Sequence, residues 1–205
     1  MIKIEKLVTP TPEQWETVIR GMRNPLNSWE FSDSTYENEL NVGEKDLNLM
    51  NKLAKAGTSH SKYRRMLVVY LDITAPMYWW KEFDTYKIGT VANSCSTMHK
   101  LMSKPFEISD FSIEHLVEFC VFDDLIKDLN YYRNKYLKTN NKQYWWQVIQ
   151  LLPMSYNQKR TVMLNYEVLA NMYKDRKDHK LDEWKDFCEF IKTLPYNELI
   201  IGETK

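Results

Sequence analysis

A chain of 205 residues with 28 basic and 28 acidic side chains is long enough to bury a sizeable core, and it has no net charge to draw it toward nucleic acid or an anionic membrane. The opening Met1-Ile-Lys-Ile-Glu-Lys-Leu breaks its apolar residues with charges, so neither a secretory signal nor a membrane span is expected and the chain reads as cytoplasmic. Three widely separated cysteines, Cys95, Cys120 and Cys188, form neither a disulfide framework nor a zinc knuckle; Cys120 and Cys188 sit in apolar helical patterns and read as core thiols.

Thr11-Pro12-Glu13 supplies a capping hydroxyl, a proline at the first helical position and an acid in the first turn, predicting a helix to about Arg23 that Asn24-Pro25 stops. A second helix is expected between Ser34 and Lys55, with Gly43 as a break point and Ala56-Gly57 as a left-handed cap. The β-branched run Met66–Thr74, ending at Ala75-Pro76, reads as a strand buried on at least one face. Met77 to Ile88 returns to helical spacing, with Trp80, Phe83 and Lys87 along one side, and a loop at Gly89 and Thr90 follows. A long helical region is expected from Ile108 through Tyr136, where Leu116, Phe119, Leu125 and Leu129 recur near the 3.6 period. After the polar Lys138–Lys142 loop, a shorter helix carries Trp145 and Trp146 to Leu152-Pro153, and two last helices are expected over Gln158–Lys177 and Leu181–Leu194. Long helices around a small sheet make a mixed α+β fold.

Within the helix expected over 158–177, Asn165, Leu169, Met172 and Arg176 are spaced by four, three and four residues and share a face. Eleven residues advance a helix by roughly 16 Å, so Asn165 and Arg176 stand at opposite ends of a mostly apolar stripe. A guanidinium on such a stripe requires a partner. An acid such as Asp175 or Glu183 would satisfy it structurally; an anionic or carbonyl-rich ligand would satisfy it functionally. The four histidines lack metal-ligand spacing, no nucleophile–histidine–acid pattern surrounds Ser96, and five glycines in all leave no phosphate-cradling loop.

One set of spacings resembles a known family. The central segment from Ile73 to His99 contains Ala75-Pro76 at the strand exit and Asn93-Ser94-Cys95-Ser96-Thr97-Met98-His99 beyond it. Downstream, Leu152-Pro153 is followed by an eleven-residue spacer, Asn165, Leu169 and Arg176; upstream stands Ser61-Lys62-Tyr63-Arg64-Arg65. These resemble the signatures of the flavin-dependent thymidylate synthases, the ThyX family. The resemblance implies a ThyX-like fold, with a small, mainly antiparallel sheet and long helices in one domain over 1–205, assembled as a homotetramer. It implies reductive methylation of deoxyuridylate with FAD, methylenetetrahydrofolate and NADPH. It places Ser96, Thr97 and Arg176 on a pyrimidine nucleotide, Ser96 and Arg176 also as catalytic residues, and Ser61, Lys87, Asn93 and Asn165 on the flavin; no metal is implied.

The departures weigh on the other side. Thr85-Tyr86-Lys87 stands where the family has Arg-His-Arg, Met98 and Ile149 replace nucleotide-binding arginines, Glu167 replaces a flavin-contacting arginine, and Arg64-Arg65 replace Glu-His. Each charged hydrogen bond lost removes roughly 1.5–3 kcal/mol. The synthase, or a related pyrimidine nucleotide modification, remains the first reading; the alternative is an inactive homologue that binds or sequesters a nucleotide or acts as an interaction protein. The Trp79-Trp80 and Trp145-Trp146 pairs read as core or subunit interface, with stacking on a flavin or base as the other use.

Overall fold

The structure, a computed structural model, describes residues 1–37 and 39–202. It is an α+β fold on a small antiparallel sheet of four strands, β1 (Lys3–Val8), β2 (Val68–Pro76), β3 (Thr90–Ser94) and β4 (Asn157–Asn165), in the order β1-β2-β4-β3. The helices are α1 (Pro12–Arg23), α2 (Glu44–Lys55), α3 (Lys62–Met66), α4 (Met77–Phe83), α5 (Cys120–Thr139), α6 (Lys142–Leu151), α7 (Tyr166–Arg176), α8 (Asp182–Ile191) and α9 (Glu198–Ile201). Among the described residues no helix is long and apolar enough to cross a membrane.

Where local chemistry is self-sufficient, expectation and structure agree. Helix α1 starts at Pro12 under a full capping box, in which the Gln14 amide donates to Thr11 Oγ1 and the Thr11 amide donates to Gln14 Oε1, and it ends at Arg23. Gly57 follows α2 with φ +101°, and Trp79 and Trp80 are fully buried.

Elsewhere tertiary contacts override the local pattern. Residues 34–37 and 39–43 are not helical; the hydrogen-bonding groups of Ser34 are recruited by Asp46 instead. Asp46, fully buried, takes Arg23 Nε on one oxygen at 2.6 Å. Its other oxygen accepts from the Ser32 and Ser34 hydroxyls at 2.7 and 2.6 Å and from the amides of Asp33 and Ser34 at 3.2 Å. Gly43 is the N-cap of α2, so the expected break is in fact the helix start; Asn38, inside the span expected to be helical, lies outside the described residues. Helix α4 ends at Phe83, short of Lys87, and the loop expected at Thr90 is strand β3. Residues Ile108–Asp110 form a single 3-10 turn and α5 begins only at Cys120, which leaves Phe119 49% exposed. Cys120 is likewise exposed, correcting its reading as a core thiol, whereas Cys188 is buried and its thiol is pushed up to about 11 by that burial.

The largest revision concerns residues 157–165, a strand rather than the first half of a helix. Gln158, Arg160, Val162 and Leu164 alternate inward, but the first two are polar, which hides the period of two. Strands β1 and β3 sit at the two edges of the sheet and bury no residue, so they carry no apolar alternation to read.

The chain forms two compact units. One contains residues 1–3, 73–85 and 93–160. Its hairpin of α5 and α6 packs with Met102, Phe111, Phe122, Leu129 and Val148 in a common cluster. In the same unit Trp80 Nε1 donates to the Gln158 carbonyl at 2.9 Å, and the Arg160 guanidinium lies 4.2 Å from the Trp80 ring while pairing with Asp84 at 2.7 Å. The other unit contains residues 4–72, 86–92 and 161–202 of the described chain. Helix α7 is its spine, packed against α3, α8 and α9, with Tyr166, Leu169, Met172, Trp184 and Phe187 buried around it.

Candidate functional site

Helix α7 organises three of the seven residues that the resemblance singled out: Ser61, Asn165 and Arg176. Strand β4 runs directly into it, and Asn165 is both the last strand residue and the N-cap: its Oδ1 accepts from the Val168 amide at 2.9 Å. Asn165 therefore precedes the helix instead of sharing its face with Leu169 and Met172, but it and Arg176 still mark opposite ends of α7.

At the N-terminal end, Glu167 is the meeting point. The buried Ser61 hydroxyl donates to Glu167 Oε2 at 3.0 Å, and the Arg64 guanidinium reaches the same oxygen at 3.8 Å. The negative charge at Glu167 is thus matched by a positive charge at Arg64.

Gly89 closes over Asn165. Its φ is +82°, and a Cβ built there would overlap the Asn165 side-chain nitrogen and come within 3.2 Å of its Cγ. Gly89→Ala is expected to destabilise the protein by more than about 1 kcal/mol, since both the backbone and the cap must shift; a thermal-unfolding scan matching the parent would show that the loop does not rest on Asn165.

At the C-terminal end Arg176 is half-buried and clamped. Its Nε donates to the Tyr86 hydroxyl at 3.0 Å, and its guanidinium carbon lies 5.1 Å from the Trp184 ring centroid and 5.6 Å from that of Tyr86. Tyr86 in turn donates to Asp175 at 3.3 Å. Asp175, one of the two acids foreseen beside Arg176, thus reaches it through a phenol. Burial raises the Tyr86 pKa against the opposing pull of Arg176, so the hydroxyl stays protonated and serves as donor and acceptor at once. The two aromatic rings fix the guanidinium in place, which lowers the entropy cost of presenting it to an anion or a carbonyl. Sequence reasoning missed Tyr86 and Trp184; the signal for Tyr86 was its place within the altered triplet, and Trp184 had none.

Lys87, next to Tyr86, is exposed. Ser96 and Asn93 are exposed and Thr97 half-buried in the other unit, where Ser96 Oγ accepts from the amides of Met98 and His99 at 3.2 and 3.0 Å and holds a tight turn. The Cys95 amide donates to the Lys159 carbonyl at 2.9 Å, and Gln158 Nε2 donates to the Cys95 carbonyl at 2.8 Å, fixing the segment in place.

Two of the residues assigned to the flavin already serve the protein's own groups: the Ser61 hydroxyl donates to the Glu167 carboxylate, and the Asn165 side-chain oxygen caps α7. Of the residues assigned to the flavin only Lys87 offers a positive charge to a pyrophosphate dianion.

Comparison with known proteins bears on the fold. Two crystal structures of thymidylate synthase X from Helicobacter pylori, both described with FAD and dUMP, are similar to this chain. One matches with a TM-score of 0.70 and 18% identity over 98% of this chain and 96% of that one; the other with 0.69 and 18% over 100% and 99%. No family model and no curated protein sequence matches the chain. The likeness establishes the shared ThyX-like fold.

Proposed function

We propose that the chain is a pyrimidine-nucleotide-binding protein on the flavin-dependent thymidylate synthase scaffold, holding its ligand through Arg176 and no longer using flavin. The observation that carries this reading is the aromatic clamp at the C-terminal end of α7, where the half-buried Arg176 guanidinium is oriented by the Tyr86 and Trp184 rings. Uracil carbonyls and a phosphate are suitable partners for a planar guanidinium. The full-length likeness to proteins described with FAD and dUMP supports the ligand class. Without a flavin there is no hydride donor, so the protein binds or sequesters its nucleotide.

The second reading is the FAD-dependent synthase, drawing on folate and NADPH. It is favoured by the register from Leu152-Pro153 through Asn165 to Arg176 and by the exposed cation at Lys87. Either reading carries with it a cytoplasmic homotetramer, and the exposed apolar side chains of Val117, Phe119 and Val121 support self-association.

One preparation separates the two. Purified protein, denatured and assayed by absorbance and mass spectrometry, is expected to release no flavin; the native protein is expected to bind deoxyuridylate by calorimetry and to run at the mass of four chains by light scattering. Near-stoichiometric FAD would overturn the proposal in favour of the synthase, and absence of both flavin and deoxyuridylate binding would overturn both.

A further inference from the structure

We infer that the cavity walled by α1, α2 and α3 is a binding site for a small anionic amphiphile, a compound with an aromatic or aliphatic body and a single negative head. The cavity lies within the unit organised by α7 and has a volume of about 500 Å³, within the usual range of small-molecule sites, about 300–1,000 Å³.

Its walls are carbon. Met22, Leu49, Leu53 and Met66 line it, together with the ring of Tyr63. The Tyr63 hydroxyl is turned to the Met50 carbonyl at 2.9 Å, and burial pushes its pKa up to about 12, so the ring meets the cavity as a neutral apolar surface. At the mouth Leu26 is 80% exposed and Met66 49%, apolar area that a bound body would cover.

The ionisable groups on the lining are basic. Arg23, His60 and Lys62 line the cavity and no carboxylate does. Arg23 is committed to Asp46 and to the Ser28 carbonyl. Lys62 is exposed and makes no ion pair among the described residues, so it is the cation left for a ligand's head.

Gly21 supplies an independent observation. It occupies the last turn of α1, where glycine costs up to about 1 kcal/mol relative to alanine. A Cβ there would meet only Met66 Cε, at 3.9 Å, an ordinary contact, and its φ is not positive. Neither sterics nor backbone conformation requires glycine. What the missing side chain provides is cavity volume.

The test is a fluorescence titration of the full chain with 8-anilino-1-naphthalenesulfonate, and with neutral N-phenyl-1-naphthylamine, which has the same rings without the sulfonate. The parent is expected to bind one equivalent of the anion saturably. Gly21→Leu, which fills the space, is expected to weaken both probes at least about tenfold with Tm unchanged or raised. Lys62→Glu is expected to weaken the anion about tenfold and leave the neutral probe unchanged. Undiminished binding by a folded Gly21→Leu, several unsaturable sites on the parent, or equal anion binding by Lys62→Glu would each overturn the inference. If Gly21→Leu lowers Tm, Lys62→Glu, altered only at an exposed side chain, decides alone.

Discussion

Arg176→Ala is expected to reduce deoxyuridylate affinity at least about a hundredfold, the loss of two charge-assisted hydrogen bonds or roughly 3 kcal/mol. The guanidinium is the group that Tyr86 and Trp184 hold ready, so its removal strips the site of its oriented cation. Arg176→Lys is expected to recover little, because an ammonium lacks the planar fork and stacks poorly between two rings. Calorimetry on the native protein reads the result directly, and unchanged affinity in Arg176→Ala would take the residue out of the site. Loss of its stacking on Trp184 also has a structural cost, so Tyr86→Phe serves as the comparison: it keeps the ring, deletes the hydroxyl and should weaken binding far less.

The largest stability effect is expected at Asp46. Asp46→Ala removes the acceptor for two serine hydroxyls, two backbone amides and the buried Arg23, and leaves that guanidinium without its carboxylate. Breaking a buried pair in this way costs about 3–5 kcal/mol, which for a chain of this length lowers Tm by about 10 °C. The pH dependence follows from the same contacts. Burial pushes the Asp46 carboxyl up, but hydrogen bonds from Ser34, Ser32 and Arg23 together outweigh it, and its net pKa is lowered. A carboxyl depressed in the folded state contributes its stability above the unfolded value, about 3.9, and loses it as pH falls through the lower folded value. The gap in stability between the parent and Asp46→Asn should therefore be full near neutrality and narrow below about pH 4. A gap that does not change with pH would mean that the carboxylate charge contributes nothing.

The reach of sequence reasoning can be judged residue by residue. Thr11, Pro12 and Gln14 dictate their helix start through contacts three residues apart, and that boundary was readable. The conformation at Ser34 was not, because what holds it is Asp46, which lies twelve positions beyond it and becomes a partner only once the chain has turned back. Strand β4 was hidden by Gln158 and Arg160, inward positions that are polar because Arg160 stacks on Trp80 and pairs with Asp84. Asn165 and Arg176 fall at the two ends of α7, although the helix was expected from Gln158 and Asn165 is its cap and not a helical position. What surrounds Arg176 could not be read from spacing: Tyr86 and Trp184 are ninety and eight residues away in sequence and converge on it only through the fold.

The junction at Asn165 has a mechanical meaning. Strand β4 passes into α7 with no intervening loop, so there is no hinge at that point, and the helix behaves as an arm whose angle is inherited from the last residues of the strand. The tip of that arm carries Arg176. On the proposed function, accommodation of ligands of different size falls to the Tyr86–Gly89 segment, which lies outside any helix or strand and bears the hydroxyl against which the guanidinium is set.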